Sequence, residues 1–88
     1  MIKIKENFVL CEMSDSYMVV AVGPASREFN GVIRLNDSGA FLWKELEKST
    51  TEEKLNEAML NQYPDAGRDQ VREDVREFLE TVAVAVDP

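Results

Sequence analysis

Three sets of residues in this chain of 88 carry groups capable of chemistry: Asp37-Ser38, Cys11, and the arginines Arg68, Arg72 and Arg76. A serine or thiol nucleophile needs a base beside it, and the chain contains no histidine, the usual general base. Cys11 lies in an apolar alternation with nothing in sequence to activate it, so it reads as a small hydrophobe. Being the single cysteine, it forms no internal disulfide and fits a reducing compartment. No Cys/His cluster offers a zinc site, and the carboxylates are not at calcium-loop spacing. Gly31 and Gly39 are too far apart for a phosphate loop. The expectation is a protein that is not an enzyme and uses no metal or cofactor.

Ser38 has a simpler role. It stands where an alternating run, Gly31-Val32-Ile33-Arg34-Leu35, gives way to a helical one, Ala40-Phe41-Leu42-Trp43-Lys44-Glu45-Leu46. Asn36, Asp37 and Ser38 are residue types that cap helices by accepting from the free amides of the first turn. The Asp-Ser pair also resembles the modified serine of acyl and peptidyl carrier proteins, which takes a phosphopantetheine arm. In carriers, however, a helix precedes that serine and an apolar residue follows it. Here strands precede it and Gly39 follows, which favours the cap.

The net charge of −7 is unevenly spread. Met1 to Lys48 holds six bases and seven acids, whereas Ser49 to Pro88 holds four bases and ten acids. Such a surface repels nucleic-acid phosphates and admits basic partners. No run approaches the roughly 20 apolar residues that span a bilayer, and Met1 to Asn7 has no signal-type apolar stretch. These features predict a cytoplasmic protein with neither membrane nor nucleic acid as partner.

The pattern predicts a single α+β domain over residues 1–88, with strands first and helices after them. Phe8–Met13 alternates, with Phe8 and Leu10 on one face. Ser14-Asp15-Ser16 is turn chemistry, and Tyr17–Val22 is a continuous apolar run expected at the centre of a meander, covered on both sides. A loop from Gly23 to Asn30 leads to the third strand, Gly31–Leu35. The first helix carries Gly39, Leu42, Trp43 and Leu46 on one face, with Trp43 in the core. Thr50-Thr51-Glu52-Glu53 reads as a capping box with Thr50 as cap and Glu53 reaching back. It opens a second helix whose Leu55, Ala58, Met59 and Tyr63 face inward and which Pro64 closes. The third helix has Val71, Val75, Phe78, Leu79 and Val82 on one arc. Arg72 and Arg76 lie on a flank of that arc beside Leu79, while Glu73, Glu77 and Glu80 lie on the far side. Salt bridges such as Arg76 with Glu80 or Glu73 are one use for those arginines. A wall beside an open strand is the other, because a three-stranded meander leaves two edges of unpaired backbone groups.

The blocks Gly31-Val32-Ile33-Arg34-Leu35-Asn36 and Asp37-Ser38-Gly39-Ala40-Phe41-Leu42-Trp43, with Leu46, resemble the PqqD-like family. These are peptide chaperones of pyrroloquinoline quinone (PQQ) biosynthesis and the recognition elements of ribosomally made, modified peptides. The likeness runs on through Thr50-Thr51-Glu52-Glu53, Tyr63-Pro64 and Val71 to Leu79. It implies a winged helix-turn-helix with a three-stranded antiparallel sheet followed by three helices. It also implies that a precursor-peptide leader is held as an added strand between the third strand and the third helix. The leader is then delivered to a radical S-adenosylmethionine (SAM) enzyme, a leader peptidase or another modifying enzyme. On that basis Val32, Ile33, Arg34 and Leu35 are expected to offer the guest its backbone partners. Arg72, Arg76 and Leu79 are expected to line the opposite wall, the arginines meeting leader carboxylates. The family commonly finishes its third helix with leucine, glycine and an apolar residue. Here Thr81-Val82-Ala83-Val84-Ala85-Val86 lacks that glycine, leaving open whether the helix continues or the chain extends. The alternative implied by the fold, a winged-helix DNA-binding regulator, needs a basic recognition helix. The second helix instead sets Lys54 against Glu52, Glu53 and Glu57.

Overall fold

The computed structural model describes residues 1–27, 31–48 and 50–87. Along it run the short strand β1 (Lys3–Ile4), the strands β2 (Phe8–Glu12), β3 (Tyr17–Ala21) and β4 (Val32–Leu35), then the helices α1 (Asp37–Leu46), α2 (Glu52–Gln62) and α3 (Arg68–Thr81). A last short strand, β5, covers Val86–Asp87. β2, β3 and β4 form the expected antiparallel meander with β3 in the middle. Between β3 and β4 a 3₁₀ turn occupies Gly23–Arg27, while Glu28, Phe29 and Asn30, the rest of the expected loop, lie outside the described residues.

Strand alternation decides which sheet face is covered. Leu10, Val19 and Ile33 stand level across the three strands and face the helices, where they join Leu42, Trp43, Leu46, Leu55, Met59, Val71, Val75 and Phe78 in one core. On the other face Val9, Val20 and Val32 stand level, and Val9 and Val32 are exposed. The apolar run of β3 is therefore not covered on both sides. All three helices pack on one face, and a β-branched strand is satisfied there by cross-strand neighbours alone.

The joint between β4 and α1 explains the change of period at Asn36. Its side-chain oxygen accepts from the Gly39 N–H at 2.8 Å and from the Ser38 hydroxyl at 3.1 Å, satisfying an amide that the first helical turn leaves free. Ser38 is thus part of the cap. Gly39 is needed because the helix starts hard against the strand: a Cβ there would sit 3.2 Å from the Leu35 Cβ and 3.2 Å from the Asn36 oxygen. Four residues on, Trp43 is 1 % exposed in the middle of the core.

Two sequence expectations on α2 are corrected. The cap is Thr51, which accepts from the Lys54 N–H at 3.2 Å, and not Thr50. Thr50 is buried with its backbone engaged elsewhere, for it exchanges N–H and C=O bonds with Ile2 at 2.6 and 3.0 Å. Tyr63 does not face inward. It is exposed, meeting the edge of Phe41 with ring centroids 6.4 Å apart.

The end of the chain answers the question left by the missing glycine. α3 stops at Thr81, a 3₁₀ turn takes Ala83–Ala85, and β5 pairs antiparallel with β1 as Lys3 with Asp87 and Ile4 with Val86. Val82 and Ala85 are buried to the last atom, so small and β-branched residues suit the tight turn and the strand that follow. The pairing seals the open end of the core with Ile2, Ile4 and Val86.

Replacing Trp43 by Ala should cost about 3–5 kcal/mol of stability, by lost burial and the cavity left behind. Gly39→Val should cost about 1–3 kcal/mol through overpacking against Leu35. Urea unfolding followed by far-UV circular dichroism measures both, and a neutral Gly39→Val would show that the joint has slack.

Candidate functional site

The geometry of the sheet edge follows from one turn. In an antiparallel ladder, pairs that exchange both hydrogen bonds alternate with pairs that exchange none. The Met13 N–H donates to the Ser16 carbonyl at 2.8 Å and the Val22 N–H to the Asn7 carbonyl at 2.8 Å, at the two ends of the β2–β3 ladder. Cys11–Met18 and Val9–Val20, spaced by two between them, are then the bonded pairs. Tyr17 and Val19 turn their backbone groups the other way, to β4, and bond Leu35 and Ile33 in register. Val32 and Arg34 are left with N–H and C=O pointing away from the sheet. Among the described residues no strand pairs with that border of β4.

Beside the border runs a groove of about 480 Å³. Arg34, Leu35 and Asn36 form its strand side, Ser38, Gly39 and Leu42 its end against α1, and Asp74, Glu77, Phe78 and Thr81 its wall on α3. Leu42 and Phe78 are buried and make an apolar floor. Asp74 is half-buried and accepts from the Gln70 side-chain amide at 2.9 Å, and Glu77 is exposed. Among the described residues no Lys or Arg reaches ion-pair distance of either carboxylate.

The expected site residues divide accordingly. Val32 and Arg34 present backbone to the open edge, whereas Ile33 and Leu35 do not, their N–H and C=O being used within the sheet. Ile33 is 7 % exposed and belongs to the core, while Leu35 is half-buried in the groove lining. Arg72, Arg76 and Leu79 do not form the α3 wall. At 100° per residue Arg72 and Arg76 lie roughly opposite Asp74 and Thr81, and Leu79 is on the other side of the apolar arc from Phe78. Arg72 and Arg76 are solvent-exposed, Leu79 packs against the core, and neither arginine forms an ion pair among the described residues. Of the α3 residues that do line the groove, Phe78 belongs to the expected apolar arc, Asp74 and Thr81 lie on its flank away from Arg72 and Arg76, and Glu77, expected on the far side, lies just beyond them.

A second groove, of about 640 Å³, follows the opposite border of the sheet. Ile4, Phe8, Leu10 and Glu12 line it with Trp43, Lys44 and Glu47 of α1. It is crossed by an ion pair, Lys44 Nζ to Glu12 Oε1 at 2.7 Å. The hydrogen bond that Lys44 donates to Glu12, and then the charge of that carboxylate, hold the Lys44 ammonium above its ordinary pKa. The two borders differ in charge: beside the first stand Asp74 and Glu77 with no cation at ion-pair distance among the described residues, whereas the Lys44–Glu12 ion pair crosses the second.

Among the described residues no group of three or more acidic, histidine or cysteine side chains is placed to hold a metal, and no helix is long and apolar enough to cross a membrane. Comparison with solved structures gives the same architecture twice. TbiB1 in complex with the TbiA(beta) leader peptide aligns with a TM-score of 0.73 at 23% identity, over 92% of this chain and 87% of that one. Lasso peptide synthetase B1 complexed with the leader peptide aligns with a TM-score of 0.74 at 11% identity, over 99% of this chain and 98% of that one. No curated protein matches by sequence. The family model described as coenzyme PQQ synthesis protein D (PqqD) matches residues 18–84, from the central strand through α3 to the closing turn, and the chain belongs to that family.

Proposed function

We propose that this protein binds the leader of a ribosomally made precursor peptide as a fourth strand on β4 and presents it to a modifying enzyme, itself performing no chemistry. The single observation that carries this reading is the outward-facing backbone of Val32 and Arg34 beside a groove with an apolar floor. An unpaired edge flanked by a pocket is what strand addition needs, since main-chain bonds supply affinity and alternate side chains entering the groove supply selectivity. Family membership and two structural neighbours, both solved with leader peptides bound, support it. The partner enzyme is a radical SAM enzyme or a leader peptidase, working with this protein in the cytoplasm, where Cys11 stays reduced. Nucleic acid is a poor guest for the same architecture. Glu53 and Glu57 are exposed on α2 beside its single lysine, on a chain of net charge −7.

Titration of fluorescein-labelled leader peptides, encoded by reading frames adjacent to this gene, should give a Kd of about 10 μM or tighter for one of them. Binding weaker than about 1 mM for all would overturn the reading. Val32→Pro and Arg34→Pro each remove an outward donor while sparing the internal ladder, so each should weaken binding about tenfold with little change in stability. Ile33→Pro should do the reverse, breaking the bond to Val19 and destabilising the fold. Equal affinities in Val32→Pro, Arg34→Pro and the parent would place the guest on another border.

A further inference from the structure

We infer that the guest strand carries a lysine or arginine on the side that enters the groove, two positions from an apolar residue, and that Asp74 and Glu77 select it. The inference rests on strand addition at β4. A strand laid along that border alternates its side chains, so every second residue points to the helices and the rest to the open face of the sheet. Leu35, Leu42 and Phe78 offer the inward residues apolar surface, and the charges on the α3 wall are the two carboxylates. The one cation in the lining, Arg34, follows the inward-facing Ile33 along β4 and therefore directs its own side chain to the opposite sheet face. Neither carboxylate is neutralised within the described protein. Asp74 takes one hydrogen bond, from Gln70, on Oδ1 alone, and the Glu77 side chain takes none among the described residues.

A guest carboxylate placed inward would meet like charge, and a neutral side chain would cover Asp74 without replacing its water. An ammonium or guanidinium makes charge-assisted bonds to both groups. On the outward side the preference reverses, because the neighbour there is Arg34. The substrate class is thus a strand with a basic residue facing α3 and an acidic or neutral residue beside it. Discrimination of this kind works by repulsion as much as attraction.

The test is selection of a random 12-residue phage-displayed peptide library on the protein, with Val32→Pro as counter-target so that only edge-dependent binders are retained. The expected result is enrichment of Lys or Arg at one position, spaced two from an apolar residue. Asp74→Asn/Glu77→Gln should weaken the winning synthetic peptide about tenfold. Asp74→Lys/Glu77→Lys should shift a repeat selection to Asp or Glu at that position. The Glu73→Gln/Glu80→Gln variant makes the same change in net charge away from the groove lining and should leave affinity within twofold, which separates groove recognition from general attraction to an acidic protein. Edge-dependent binders with no basic preference, or equal losses in the two neutralised variants, would overturn the inference while leaving strand addition standing. Failure to recover any binder sensitive to Val32→Pro would overturn both.

Discussion

The phase of hydrogen bonding set by the turn between β2 and β3 is the constraint from which the candidate site follows. Two residues, Ser14 and Asp15, separate Met13 from Ser16, and the bond between those flanking residues fixes which backbone groups of β3 face each neighbour. Because the ladder alternates strictly, that choice passes through β3 to β4 and sends Val32 and Arg34 outward. Side-chain alternation is locked to the same phase, so Ile33, which spends its backbone inside the sheet, also spends its side chain in the core. A slip of one residue would expose Ile33 and bury Arg34. The apolar core therefore holds the open edge in register through Ile33, the core residue between the two that face outward.

Much of the architecture is legible in the sequence because period and capping chemistry agree with each other. The change from alternation to helical spacing at Asn36, the arc of Val71, Val75 and Phe78, and the central place of the Tyr17 strand all appear in the structure where their patterns put them. Failures occur where a tertiary contact claims a local signal. Thr50 satisfies the capping pattern as well as Thr51 does, but the bridge to Ile2 takes its backbone, and nothing near Thr50 in sequence announces a partner so far away. β1 and β5 are two residues each and stabilise one another from opposite ends of the chain, below the length at which a pattern is readable.

The groove wall shows a subtler limit. An amphipathic helix has two flanks to its apolar arc, and its own sequence does not say which flank meets the strand edge. On α3 one flank carries Arg72 and Arg76, the other Asp74 and Glu77. Choosing by charge, on the expectation of an acidic leader, selects the arginines. The packing of α3 against α1 turns the flank with Asp74 to the groove instead, so the charges on the α3 side of that groove are carboxylates.

The two borders of the sheet are unlike, and the difference bears on self-association. A sheet open alike on both sides is a template for copies of itself, each adding to the last in a growing filament. Here a second molecule bringing its β4 to the far side would meet the Lys44–Glu12 pair, and would have to dehydrate or displace it before zipping on. The accumulated negative charge opposes the same approach at longer range. The lysine–glutamate pair thus stands in the way of head-to-tail growth, β4 of one copy onto β2 of the next, and leaves the β4 border itself untouched.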